Sequence, residues 1–242
     1  MAGHSKWSTI KRKKGALDQK RGKLFSTISK EITVSSRLGG KEIDSNPRLR
    51  QAVKKAKSLN MPNSNIEKAI KKGVGELDNV IIEEVSYEGY GPFGVAILIE
   101  AITDNKNRTV ADVRHALSKF GGSLGQAGSV SWNFERTGIV LIDKNQISEN
   151  DIFEFSVEND CLEFFEDEDC FRLHFNSNDL YSKLDILENL NISVDSSFLA
   201  YVAKDEIKLS KDENEKVENL LDFLEELEDI QNVFSNQTLG LN

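Results

Sequence analysis

The feature that most constrains the fold is a change of hydrophobic period at about Asp78. Before it, apolar residues recur at helical spacing. Beyond it they come in short runs of β-branched residues. The first part must therefore pack helix stripes on one another, and the rest must build sheets. Gly15 to Arg37 reads as a helix with Leu17, Leu24, Phe25, Ile28 and Ile32 on one stripe, stopped by Gly39-Gly40. Asn46-Pro47 reads as an N-cap followed by proline at the first helical position, and Leu49, Ala52, Val53 and Ala56 form the buried side of that helix. A third short helix carries Ile66, Ala69 and Ile70 and ends at Gly73.

After Asp78, "VIIEEVSYEGY" and "VAILIEAIT" flank "GPFG" as two strands around a turn. Asn107 to Phe120 reads as a helix, "GGSLGQAGS" as a loop and "VSWNFE" as a strand. From "GIVLID" to "ISVDSSFLAYVAK" the order is β-α-β-β-α-β, which predicts a ferredoxin-like unit. A final helix with Val217, Leu220, Leu221 and Leu224 and a strand at "NVFSN" supply what the middle region lacks to cover its sheet. The expected class is α+β: a helical N-terminal domain followed by two α+β domains, the third ferredoxin-like and inserted into the second. The expected bounds are 1–79, 80–136 plus 209–242, and 137–208.

Charge is sorted along the same division. Met1 to Gly75 has a balance of +14 and the remainder -23, giving the net -9. Such asymmetry predicts one polyanion-binding module on a body that polyanions avoid. The segment Ala2 to Phe25 holds eight lysines and arginines against Asp18 alone. Lys6, Lys11, Arg12, Lys13, Lys14, Lys20, Arg21 and Lys23 suit phosphates, whose condensed counterions they release. Ser5 can donate to phosphate oxygens. His4 and Trp7 offer flat rings that stack on unpaired bases, though Trp7 is equally suited to plug the helical core. In the second helix, Arg48, Arg50, Lys54, Lys55 and Lys57 surround the apolar stripe, and the first four are expected at the interface.

Catalysis finds little support. His4, His115 and His174 fall in different predicted domains, and Cys161 and Cys170 form no metal-type cluster. The glycines at 121, 122, 125 and 128 follow a helix and open a strand, whereas a dinucleotide loop follows a strand and opens a helix. They read as a tight connection. The acidic turn Glu166 to Asp169 reads as a solvated hairpin tip, and Tyr90 and Phe93 as turn residues that offer rings to a partner. The expectation is a non-enzymatic cytoplasmic protein with no membrane span, metal, cofactor or small-molecule substrate.

The stretches "AGHSKWSTIKRKKGALDQKRGKLF", "NPRLRQAV", "YEGYGPFGVAILIEAITDNKNRTVADVRHALSKFGG" and "GSVSWNFERTG" closely resemble the YebC/PmpR family. The resemblance is dense from Ala2 to Gly138 and rests on layout beyond it. It implies the same three-domain arrangement and a regulator of gene expression that binds nucleic acid. One implied role is a ribosome-associated translation factor that relieves stalling on proline-rich stretches, with Gly3, His4, Ser5, Lys6, Trp7 and the run Lys11 to Lys14 approaching ribosomal RNA or tRNA. The other is a DNA-binding transcriptional regulator at promoter DNA, for which Arg48, Arg50 and Gln51 at a helix start suit base edges.

Overall fold

The computed structural model describes residues 21–77 and 82–240. The chain forms two compact units. One runs through Asn133 and resumes at Asp205; the other is Phe134–Lys204.

The first unit opens with three helices, α1 (Arg21–Gly39), α2 (Pro47–Ser58) and α3 (Asn63–Gly73). Their core joins Ile28 and Ile32 to Leu49, Val53, Ala56, Met61, Ile66 and Ala69. Asn46 caps α2 by accepting the Leu49 N–H at 3.1 Å, and its amide donates to the carbonyls of Ser35 and Gly40. One side chain thus starts α2 and finishes α1. Gly73 marks where α1 and α3 touch: a Cβ there would sit 1.9 Å from Ser36 Oγ and 2.2 Å from the Thr33 carbonyl oxygen.

The same unit carries an antiparallel sheet of β1 (Glu83–Tyr90), β2 (Ala96–Thr103), β3 (Ser123–Leu124) and β9 (Ile230–Ser235), in the order β3-β1-β2-β9. Helices α4 (Lys106–Lys119) and α7 (Lys211–Glu226) cover it through Val113, Leu117, Val217, Leu220 and Leu224 against Ile97 and Ile99. The C-terminal helix therefore completes the middle sheet. Val34 of α1 packs on Ile82 and Ile102 beside it. A short parallel pair, β8 (Ile207–Leu209) with β10 (Gln237–Leu239), lies outside the sequence expectation.

The second unit is ferredoxin-like. Its strands β4 (Phe134–Asp143), β5 (Glu163–Glu166), β6 (Cys170–Asn176) and β7 (Ser196–Ala203) run antiparallel in the order β5-β6-β4-β7. Helices α5 (Glu149–Glu158) and α6 (Leu180–Asn189) bury Ile152, Phe155, Leu184 and Leu187 against one sheet face.

Two expectations change here. "VSWNFE" and "GIVLID" are not separate strands: Ser131–Asn133 is a single 3-10 turn, and Phe134–Asp143 is one continuous strand. The insert accordingly begins at Phe134. It ends at Lys204, because residues 207–209 pair with β10 in the first unit.

Candidate nucleic-acid interface

Helix α2 buries Leu49, Ala52, Val53 and Ala56, which turns Lys54, Lys55 and Lys57 to solvent. Helix α3 buries Ile66 and Ala69 and leaves Lys68 and Lys71 exposed. An amphipathic helix sorts its residues this way whatever its function. The lysines at the last turns, Lys55 and Lys57 of α2 and Lys71 and Lys72 of α3, also complement the negative helix ends. The result is a set of exposed cations on α2 and α3. Lys57, which the sequence places around the same stripe, belongs to it, as do Lys68 and Lys71 of α3, which were not among the expected residues although the same helical spacing gives them.

The other expected residues divide. Gly3, His4, Ser5, Lys6, Trp7, Lys11, Arg12, Lys13, Lys14 and Lys20 lie outside the described residues. Arg21 opens α1. Arg50 is half-buried on α2. Two residues expected at the interface instead hold groups of the chain itself. Lys23 Nζ donates to the carbonyls of Glu225 and Leu227, the latter at 3.0 Å, at the C-terminal end of α7. A helix C-terminus attracts a cation through its unpaired carbonyls and dipole.

Arg48 is the second. Its Nε and Nη2 donate to Glu31 at 2.7 and 3.0 Å, and its Nη2 to Glu84 at 2.5 Å. Burial lowers the guanidinium's proton affinity, but the two carboxylates outweigh it and raise the net value. The fork ties α2 to α1 and β1.

The glycine-rich loop after α4 is an anion cradle already filled. The buried Glu88 carboxylate accepts N–H bonds from Gly128 at 2.8 Å, Val130 at 2.7 Å and Ser131 at 2.8 Å. Burial pushes this carboxyl up, the three backbone donors pull it down, and the net direction is down. The loop's donors serve a side chain of the protein, which accords with a tight connection. It also fixes two exposed rings. Tyr90 Oη and Trp132 Nε1 both donate to the Ser129 carbonyl, at 2.9 and 3.0 Å. Phe93 is exposed too, with φ of 61°.

In the insert, His174 is buried between Glu163 and Arg172. His115 on α4 is exposed. The acidic turn is only partly a solvated tip: Asp167 turns inward and accepts from Arg172 at 2.9 Å, and Glu166 pairs with Lys144 at 2.7 Å. The unit Phe134–Lys204 holds 16 acidic and 5 basic residues, a balance of -11. Among the described residues no helix is long and apolar enough to cross a membrane.

Residues 5–76 match the family described as the TACO1/YebC protein N-terminal domain, and residues 82–237 match the TACO1/YebC second and third domain. A "probable transcriptional regulatory protein" of Desulforapulum autotrophicum is 46% identical over 236 residues, covering 98% of this chain and 96% of that one. Another of that description, from Chloroherpeton thalassium, is 47% identical over 241 residues, covering 99% and 96%. The crystal structure of a conserved hypothetical protein from Aquifex aeolicus superimposes with a TM-score of 0.85 at 40% identity over 93% of both chains. With both family regions matched and relatives aligned along nearly their whole length, the chain belongs to the TACO1/YebC family.

Proposed function

We propose that this protein is a non-enzymatic, nucleic-acid-binding regulator of gene expression that works in the cytoplasm as a ribosome-associated translation factor, relieving stalling on proline-rich stretches. The observation that supports it is the division of the cations on α2. Arg48, at the helix start where a DNA reader places its base contacts, is held by Glu31 and Glu84. The fully exposed cations of α2 are lysines. Lysines act as point charges toward phosphates and carry little base discrimination. That chemistry suits folded RNA in a crowded particle, with His4 and Trp7 in the basic arm placing the protein by stacking. The second reading, a transcriptional regulator on promoter DNA, is favoured by the description that the relatives carry.

A reconstituted translation assay on a message with consecutive proline codons tests the first reading. Wild-type protein is expected to raise full-length product, and Trp7→Ala to lose that effect while keeping its melting temperature and its general affinity for polyanions. No effect of the wild-type protein, together with selective footprints on promoter DNA, establishes the second reading instead.

A further inference from the structure

The insert carries an exposed face that phosphate binding does not use. Helix α5 turns Ile152 and Phe155 into the core. On its outer side Phe153 and Val157 stand one turn apart, 54% and 67% exposed, and Leu162 just beyond the helix is 58% exposed. Single exposed apolar residues are ordinary, but three large ones within ten residues form a patch. The patch is anchored. The Phe153 ring meets Phe164 edge-on with centroids 5.8 Å apart, and Phe164 stacks on Phe171 at 5.7 Å. Phe153 is thus the outer end of a chain of rings rooted in the core, so covering it costs little side-chain entropy.

The chain around the patch is acidic, although Lys144 reaches the Phe171 ring at the inner end of the ring chain. No lysine or arginine occurs between Lys144 and Arg172, while Glu149, Asp151, Glu154, Glu158 and Asp160 line the helix and its end. Glu154 and Glu158 are exposed beside the apolar pair. We propose that this face docks a basic protein segment that presents apolar side chains along one side of a helix. Its apolar side covers Phe153, Val157 and Leu162, and its lysines or arginines meet the carboxylates around them. Charge decides the class of partner. Nucleic acid and anionic membrane are repelled by a unit of -11, and a second copy apposing the same face sets like charge on like. The inference is independent of which nucleic acid the N-terminal region binds.

Fluorescence polarisation with the full-length chain tests it. The probe is a labelled amphipathic peptide of lysine and leucine, with leucines at i, i+3, i+4 and i+7; its scrambled isomer is the comparison. The ordered peptide is expected to bind at least about tenfold more tightly than the scramble, roughly 1.4 kcal/mol. Phe153→Ser with Val157→Ser should remove that preference, and Glu154→Gln with Glu158→Gln should flatten its salt dependence. Should the double serine variant lose its thermal transition, Val157→Ser alone takes its place, with loss of preference again expected. Equal affinity for both peptides, or an unchanged preference in the serine variants, overturns the proposal. So does a wild-type dimer in sedimentation that the serine variants turn into a monomer, since a second copy then occupies the face.

Discussion

Lys30 Nζ lies 2.8 Å from Asp229 Oδ1, joining the first helix to a residue 199 positions later in the turn before β9. Asp229 is buried and also accepts from Arg108 at 2.8 Å, Thr103 at 3.0 Å and Thr109 at 2.8 Å. One carboxylate therefore gathers α1, α4 and β2. Beside it Lys23 donates to the end of α7. The basic helix is fastened to the acidic middle of the protein by its own lysines.

Replacing Asp229 with Ala should cost about 1–3 kcal/mol, because it removes the buried acceptor of the Thr103 and Thr109 hydroxyls and unpairs the part-exposed Lys30 and Arg108. Urea unfolding measures it. Burial pushes the Asp229 carboxyl up, but the bonds from Lys30, Arg108 and Thr109 prevail and hold it at about 2 against an ordinary 3.8. A depressed carboxyl contributes stability that is present above the unfolded value and lost as pH falls. The wild-type protein should therefore lose stability between pH 3.8 and about 2, and Asp229→Asn should be flatter across that window. An equal slope in both proteins rules the assignment out.

Glu88→Gln should loosen the glycine-rich loop while leaving the sheet intact. Glutamine offers one acceptor oxygen where the carboxylate uses two, and its amide nitrogen faces N–H groups it cannot accept from. Each buried donor left unpaired costs about 1–3 kcal/mol. Hydrogen exchange at Gly128, Val130 and Ser131 should speed up, and the emission of exposed Trp132 should shift. Gly128→Ala should destabilise by about 1–2 kcal/mol for a different reason: φ there is +86°, where a Cβ is strained.

The cations of α2 should separate into two kinds. Arg48→Ala should lower stability by about 1 kcal/mol, since its partners are partly exposed and screened, and leave the salt slope of nucleic-acid binding unchanged. Lys54→Ala with Lys57→Ala should do the reverse, leaving the melting temperature alone and reducing the slope by about one unit per lost phosphate contact. A lower melting temperature in the lysine variant, or a shallower slope in the arginine variant, contradicts this division.

The sequence carries the elements well because their signals are local. Asn46-Pro47 needs only its own neighbours to start a helix, and the insert's β-α-β-β-α-β order needs only strand and helix periods. What it hides is pairing at a distance. A lysine on a helical stripe looks the same whether it meets phosphate, as Lys54 is proposed to do, or a carbonyl some 200 residues away, as Lys23 does. Gly138 shows the same limit within one strand. It looks like a break between two strands, yet β4 runs through it, and a Cβ there would come within 2.9 Å of Leu180 on α6. The glycine is required by a helix not yet placed when the strand is read.

The buried pair of His174 and Arg172 gives the insert its own acid sensitivity. Arg172 is 1% exposed, lies over the Phe165 ring at 4.2 Å and donates to Asp167 at 2.9 Å. Its Nη1 is 3.2 Å from His174 Nε2, and His174 Nδ1 is 3.0 Å from Glu163 Oε2. Because the guanidinium only donates, Nε2 must accept, which assigns the neutral ring with its proton on Nδ1 facing Glu163. Burial first and the Arg172 charge second push His174 down, Glu163 and more weakly Asp167 oppose them, and the result is about 4 against an ordinary 6.5. Here the unfolded chain binds the extra proton, so the stability of the neutral ring is full above pH 6.5 and is lost as pH falls toward about 4. Unfolding of the full-length protein, followed by proton exchange at Val140, Leu173 and Phe175 in the insert core, should show that decline between pH 6.5 and 4. His174→Gln keeps a side chain that can accept from Arg172 but has nothing to titrate, so its decline across this window should be shallower. Glu163→Gln removes the carboxylate that most favours the charged ring, with Asp167 a weaker second, so its decline should steepen. If the glutamine at 174 leaves the profile unchanged, the acid sensitivity of the insert lies elsewhere.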